Sequence, residues 1–380
     1  MVIGPSEPEI GEGQPPKLVH GLIGRNRARS EVFEKAAEGG FIHGRHYPAW
    51  AMAGSASPFV VAAGSRVAFL GPPGTFGEEA LLTQPDLAEA ELVPIRSMPD
   101  VLGAVAEGQV DYGFVAIENS IEGTVNQVID GLVFDRDLHI QREVVLEVSQ
   151  CLIGPPGMSL ADVRRVVSIP HAIGQCRAFF GAHLVNIEEV AANSTAEAVR
   201  MVGEERPPGT VALGPALAAK LYGLEVLAAD IEDHDDNATR FVLVARAGPG
   251  SIPPPTGHDK TSIVCFQRVD VPGSLHGILG QFTARNINLT KLESRPTKRG
   301  LGNYCFIIDL EGHIADEVVA DCLRDLRVGL ATVKYLGSYP AAGEHGPAIR
   351  RDAEASWRDA DAWMTRLREC IVRPDPSMEP

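Results

Sequence analysis

The stretch Asp235-Asp236-Asn237-Ala238-Thr239-Arg240-Phe241 sets three acid or amide side chains ahead of a hydroxyl, a guanidinium and an aromatic ring. The apolar run Val242-Leu243-Val244-Ala245 follows at once and reads as a buried strand. The polar cluster therefore sits at the mouth of a core strand, where a rigid element holds it. A Thr and an Arg so placed suit a site that binds an anion and donates a hydrogen bond. A capped loop would use the same residues: Asp and Asn close turns on their own backbone, and Arg240 would then pair with Asp235 or Asp236.

Other polar residues fall at comparable places. Val67-Ala68-Phe69-Leu70 reads as a strand, broken by Gly71-Pro72-Pro73-Gly74 and followed by Thr75-Phe76-Gly77-Glu78. Thr75 and Glu78 have capping-box spacing, so a helix opens there. A strand, a glycine-rich turn and a helix start form a cradle for a carboxylate, a role compatible with Thr75 as a simple cap. Tyr112 to Ile117 is a further strand, ending in Glu118-Asn119-Ser120. Ser194 and Glu197 repeat the capping box in the second half, after Asn193. Ligand-type residues at the carboxyl ends of strands are what open α/β sheets use for binding.

Strands and helices alternate between these points. A helix opens at Ser97 to Asp100, the strand-like run Val144 to Ile153 leads into a second lobe, and a helix opens at Ser159 with Asp162. Val166-Val167-Ser168 is a short strand, and Pro170-His171 turns the chain towards Gln175-Cys176-Arg177, with His171 expected to face solvent. The reading is an α/β domain of two lobes facing a cleft, with one helix N-terminus in each, an arrangement suited to a dianion. Residues 248–259 are a linker stiffened by Pro253-Pro254-Pro255, and 260–340 run βαββαβ, a ferredoxin-like sandwich. Residues 1–61 form a Gly- and Pro-rich extension, partly disordered, with a basic run at Arg25, Arg27 and Arg29 and a short helix over Ser30 to Ala37. Residues 341–380 form an acidic tail with one helix, whose stripe Trp357, Ala360, Met364, Leu367 and Ile371 reads as a docking face for the body.

The net charge of −16 argues against nucleic acid and anionic membrane as partners, and says nothing against a small anionic substrate. The six cysteines lack metal spacing and read as free thiols of a reducing compartment. Without a secretory signal, and without a run approaching the roughly 20 apolar residues of a membrane span, the chain reads as cytoplasmic.

Taken together, Gly71 to Phe76, Ile117 to Ser120, Gln175-Cys176, Asn193 to Thr195, Asp236 to Phe241 and Glu293-Ser294-Arg295-Pro296 resemble the prephenate dehydratase family over residues 64 to 340. The resemblance implies a periplasmic-binding-protein-like (type 2) two-lobed α/β catalytic domain over 64–247, followed by an α+β ferredoxin-like ACT regulatory domain. It implies prephenate as substrate, phenylalanine as effector, no cofactor or metal, and a homodimer or homotetramer formed by ACT pairing. Thr239, Asn119 and Gln175 are then the catalytic candidates, with Thr239 helping the ring hydroxyl leave; Glu118 is a rival acid or a buried cap. Substrate contacts fall to Thr75, Phe76, Glu118, Ser120, Ser168, Ser194, Thr195, Arg240 and Phe241, the last mainly as packing beside the site. The effector site comprises Gly273, Ser274, Leu275, Asn288, Leu289, Glu293, Ser294, Arg295 and Pro296. Where the family reads Gly-Ala-Leu-Val, this chain has Gly273-Ser274-Leu275-His276; where it often reads Ser-His-Pro-Gln, this chain has Ser168-Ile169-Pro170-His171. Arogenate dehydratase, acting on the aminated substrate, and a non-catalytic amino-acid sensor are the competing readings.

Overall fold

The computed structural model describes residues 41–42, 45–46, 59–342 apart from 185, 235, 270, 299 and 301, and 359–370 apart from 361. The expected helix over Ser30 to Ala37 and the basic run before it lie outside the described residues.

Lobe I opens with β1 (Arg66–Leu70), α1 (Phe76–Leu82), β2 (Glu91–Ile95), α2 (Met98–Ala106), β3 (Tyr112–Asn119), α3 (Asn126–Asp130) and β4 (Leu138–Glu147). The long run read from Val144 to Ile153 is broken at 148–150: β4 belongs to one sheet and β5 (Cys151–Gly154) to another. This break is the first crossing between lobes. Lobe II adds β6 (Arg165–Ser168), α4 (Pro170–Gly174), α5 (Arg177–His183), β7 (Glu188–Ala191), α6 (Thr195–Glu205), β8 (Thr210–Gly214), α7 (Ala216–Leu221) and β9 (Glu225–Ala228). The helix expected after Ser159 is only a 3-10 turn, Leu160–Asp162. The chain then returns to lobe I as β10 (Ala238–Arg246).

The lobe I sheet has the order β2-β1-β3-β10-β4, and the lobe II sheet β7-β6-β8-β5-β9. The two crossings lie side by side, tied by Val148 N–H to Asn237 O at 2.7 Å and Ile231 N–H to Gln150 O at 3.2 Å. They form a two-stranded hinge, and the molecule has the two-lobed α/β form expected.

β10 occupies the interior of the lobe I sheet between β3 and β4, both antiparallel to it. Its side chains alternate with the period of a strand. Phe241 and Leu243 join the core beneath α1; Val242 and Val244 join the core beneath α2 on the opposite face. The register pairs Thr239 with Asn119 and Arg240 with Glu118, then jumps to Phe241 with Ala116. Ile117 is the extra residue, a bulge that resets which face the end of β3 presents.

The C-terminal module consists of β11 (Asp259–Gln267), α8 (Ser274–Thr283), β12 (Leu289–Pro296), β13 (Tyr304–Glu311), α9 (Glu317–Asp325) and β14 (Ala331–Pro340), in the sheet order β12-β13-β11-β14. One sheet face packs on α8 and α9. The other shares a core with lobe I: Val264, Ile307, Leu336 and Tyr339 lie with Leu132, Leu138 and Ile140. Contact is close at Gly337, where an added Cβ would stand 2.6 Å from Ile140 O. In the tail, residues 359–360 and 362–369 are helical and exposed, with Trp363 at 52% and Leu367 at 45%. The described part of the expected docking stripe therefore does not dock on the body, and Trp357 and Ile371 lie outside the described residues.

Candidate active site

Three of the residues singled out from the sequence form one hydrogen-bonded cluster at the hinge. Asn119 Nδ2 donates to Thr239 Oγ1 at 2.9 Å and to Asn237 Oδ1 at 2.8 Å. Asn237 Nδ2 donates to Gln175 Oε1 at 3.3 Å, which carries the cluster into lobe II. The loop after β3 holds Asn119 in turn, because the N–H groups of Ile121 and Glu122 both donate to its Oδ1 at 3.0 Å. Thr239 Oγ1 thus accepts one bond, and among the described residues nothing takes its hydroxyl proton. A hydroxyl that accepts from the protein on one side is oriented to donate on the other. Asn119 acts on Thr239 here, rather than facing outwards with free amide groups. Asn237, 3% exposed, is a link that the sequence does not single out beyond its place two residues ahead of Thr239, at the mouth of the strand.

Several other candidates stand elsewhere. Ser168 is fully buried and donates to Leu213 O at 2.8 Å, so its hydroxyl is committed to the lobe II core. Ser120 stitches the loops together, donating to Asp236 O at 3.1 Å and accepting from Ala238 N–H at 2.9 Å. Thr75 caps α1, accepting from Glu78 N–H at 3.2 Å and donating to Leu70 O at 3.1 Å. The fully buried Glu78 side chain accepts from Gly74 N–H, so the turn expected to cradle an anion is already bonded to a carboxyl group of the protein's own. Phe76 is partly buried against the lobe I core. Ser194 caps α6 through Glu197 N–H at 3.0 Å, with Thr195 buried behind it. Phe241 stacks on Phe114, with ring centroids 5.2 Å apart, and packs against α1. Cys176 beside Gln175 is buried, and burial pushes its thiol up to about 12, which leaves it inert.

Arg240 departs furthest from expectation. Strand alternation turns it away from Thr239 and into the junction with the C-terminal module. Its Nε donates to Glu143 at 2.7 Å, its Nη1 to Asp309 at 2.7 Å and its Nη2 to Tyr339 Oη at 2.8 Å, with Glu118 at 3.5 Å. Lys260 adds a second cation to Glu143 at 2.8 Å. Burial alone would weaken the guanidinium's charge; Tyr339, Asp309 and Glu143 outweigh it and hold Arg240 well above the ordinary arginine value. Burial likewise pushes Asp309 up, but Arg240, Ser262 and Lys260 prevail and keep its carboxyl below the usual range. Arg240, expected among the substrate contacts, is thus engaged at the junction with the C-terminal module. Glu118 is drawn to the same junction by Lys291 at 3.0 Å, and Asp235 lies outside the described residues.

The effector candidates divide in the same way. Gly273, Ser274, Leu275, His276 and Ser294 line an open hollow of about 700 Å³ beside Tyr304. Along β12 the alternate residues Lys291, Glu293 and Arg295 turn to lobe I instead. Thr124 Oγ1 accepts from Lys291 at 2.9 Å and donates to Glu293, while Arg295 reaches Asp130 at 2.6 Å and Asn126 at 2.7 Å. Asn288 bonds Glu311 at 2.9 Å, Leu289 packs on the module's core, and Pro296 is exposed at the strand end.

Among the described residues no group of His, Cys, Asp and Glu could hold a metal ion, and no helix is long and apolar enough to cross a membrane. A family model described as prephenate dehydratase matches residues 67–249, and one described as ACT domain matches 261–328. A curated prephenate dehydratase of Mycolicibacterium vanbaalenii is 44% identical over 305 residues, covering 77% of this chain and 96% of its own. A solved prephenate dehydratase of Arthrobacter aurescens in complex with L-Phe aligns at a TM-score of 0.72 and 38% identity, covering 80% of this chain and 99% of its own. The solved structure of GqqA, titled a novel type of quorum quenching acylase, aligns at 0.66 and 32% identity, covering 73% of this chain and 98% of its own.

Proposed function

The chain belongs to the prephenate dehydratase family, and on that premise we propose how its residues perform the dehydration. The enzyme converts prephenate to phenylpyruvate with loss of water and carbon dioxide and is feedback-regulated by phenylalanine. Loss of both groups makes the ring aromatic, so the driving force lies in the substrate. The protein's work is to hold a dicarboxylate and assist the departing ring hydroxyl. Thr239 is that donor, and one observation carries the assignment: its oxygen accepts from Asn119 at 2.9 Å, which leaves its proton directed away from the protein. A threonine hydroxyl is a poor acid, so Thr239 stabilises the developing hydroxide by a positioned hydrogen bond instead of transferring a full proton. Asn119 and Asn237 fix its direction, and Gln175 brings lobe II to the same point.

With Arg240 engaged at the module junction, the substrate's carboxylates fall to backbone N–H groups and the start of α6. Phenylalanine binds the hollow around Ser274 and Ser294, closed by a second ACT module in a cytoplasmic homodimer or homotetramer. The test is turnover of purified protein on prephenate and on arogenate in parallel, with phenylpyruvate absorbance as the readout. Turnover on neither substrate refutes the reaction, and a preference for arogenate replaces the substrate.

A further inference from the structure

The polarity of the amide chain behind Thr239 is dictated from one end. Asn119 Oδ1 accepts two backbone N–H groups, so its Nδ2 must be the atom facing Thr239 and Asn237. Asn237 then turns Oδ1 to Asn119 and Nδ2 to Gln175 Oε1. Gln175 is left with Nε2, a pure donor, 2.7 Å from Nε2 of His171. That ring nitrogen has to accept, which requires a neutral imidazole carrying its hydrogen on Nδ1. The same Nε2 also stands 3.0 Å from Glu122 Oε1, a contact that requires a hydrogen on that nitrogen. One nitrogen cannot serve both partners.

We propose that His171 is a positioning residue for the dehydration: neutral, it holds Gln175 in line with Asn237 and Thr239; protonated at Nε2, it turns to Glu122 and releases Gln175. The proposal rests on Thr239 as the donor. Turning the Gln175 amide over would not restore the chain, because its NH2 would then face the NH2 of Asn237. Among the described residues, the charged group in contact with the ring is Glu122, from the loop after β3; Asp233, before β10, accepts from Arg177 N–H and Ala178 N–H and donates its own N–H to Gln175 O. The His171 side chain is 40% exposed and that of Glu122 50%, so solvent supplies the proton. Gln175 Nε2 can bond the ring only where Nε2 of His171 carries no hydrogen, and Glu122 only where it carries one.

The pH profile of kcat on prephenate for wild type, His171→Gln and Glu122→Gln tests this. Wild type should fall roughly tenfold over a one-proton acid limb, the scale of one net hydrogen bond. His171→Gln should lack that limb, because its amide oxygen accepts from Gln175 at every pH. Glu122→Gln should move the limb to lower pH. Superimposable profiles for wild type and His171→Gln overturn the proposal, as does a limb that Glu122→Gln fails to move. In protein labelled with 15N-histidine, the His171 signal, assigned by its loss in His171→Gln, should show the Nδ1–H form on the alkaline side; an Nε2–H form overturns the proposal. That spectrum needs no turnover, so inactivity on prephenate would count against the proposed reaction while the tautomer still decides the role of His171.

Discussion

Arg240 Nη1 lies 2.7 Å from Asp309 Oδ2, so the residue directly after the hydroxyl donor is bonded across the junction to the ACT module. Thr239 and Arg240 are chain neighbours on opposite faces of β10. A displacement of the ACT sheet would therefore act on Arg240, one residue along the strand from Thr239. Removing one partner of such a buried cluster leaves the others as uncompensated charge. Arg240→Ala should therefore cost roughly 3–5 kcal/mol of stability, read by denaturant unfolding. A loss under about 1 kcal/mol would mean that the cluster is solvated.

Asp309→Asn keeps the shape of the junction and removes one charge. We expect basal turnover within about twofold of wild type and an inhibition curve for phenylalanine displaced by about fivefold or more, the range of ordinary allosteric coupling. An unchanged inhibition curve would remove this junction from the route of regulation.

Glu293→Ala and Arg295→Ala should abolish inhibition and spare basal turnover, and the geometry supplies the reason. Both side chains grip lobe I at Thr124, Asn126 and Asp130, outside the hollow lined by Ser274 and Ser294. Phenylalanine binding by calorimetry should therefore survive within about threefold while inhibition is lost, as expected for broken coupling. Loss of binding itself would place these residues in the effector site after all.

Gly337→Ala tests the packing of the same junction. Its new Cβ would meet Ile140 O at 2.6 Å and Ile140 N at 2.9 Å, backbone atoms that cannot step aside. Overpacking of this kind typically costs about 1–3 kcal/mol. Hydrogen exchange should rise over 138–142 and 334–339, and unaltered protection there would contradict the close approach.

Acid should loosen the junction. Burial raises the pKa of both Asp130 and Asp309, but Arg295 and Lys298 at Asp130, and Arg240, Ser262 and Lys260 at Asp309, outweigh it and hold each carboxyl below its ordinary 3.8. A depressed carboxylate contributes stability that is complete above its unfolded pKa and is lost as pH falls through its folded one. Thermal melts should therefore be insensitive to these two groups above about pH 5 and decline progressively below it. Asp309→Asn should flatten that decline; an equal decline in the variant would assign it to other carboxylates.

Much of the molecule was legible in the sequence because it rests on local chemistry. Short continuous apolar runs and capping residues marked most of the elements of both lobes, and the βαββαβ order of the last module followed from the same signals. The reach from Thr239 to Asn119 and Gln175 was legible only through motifs that together resemble one family. Tertiary structure alone decided the direction of each side chain. The bulge at Ile117 aligns Asn119 with Thr239 and Glu118 with Arg240, and no local pattern announces where a strand gains a residue. That β10 is a buried strand was visible, but what covered each of its faces was not. Arg240 therefore read as a substrate anchor until Asp309 and Tyr339, 69 and 99 residues away in the chain, were seen to bind it. Local propensity records how the backbone prefers to lie, whereas the partner of a buried charge is chosen by whichever distant segment packs on top of it.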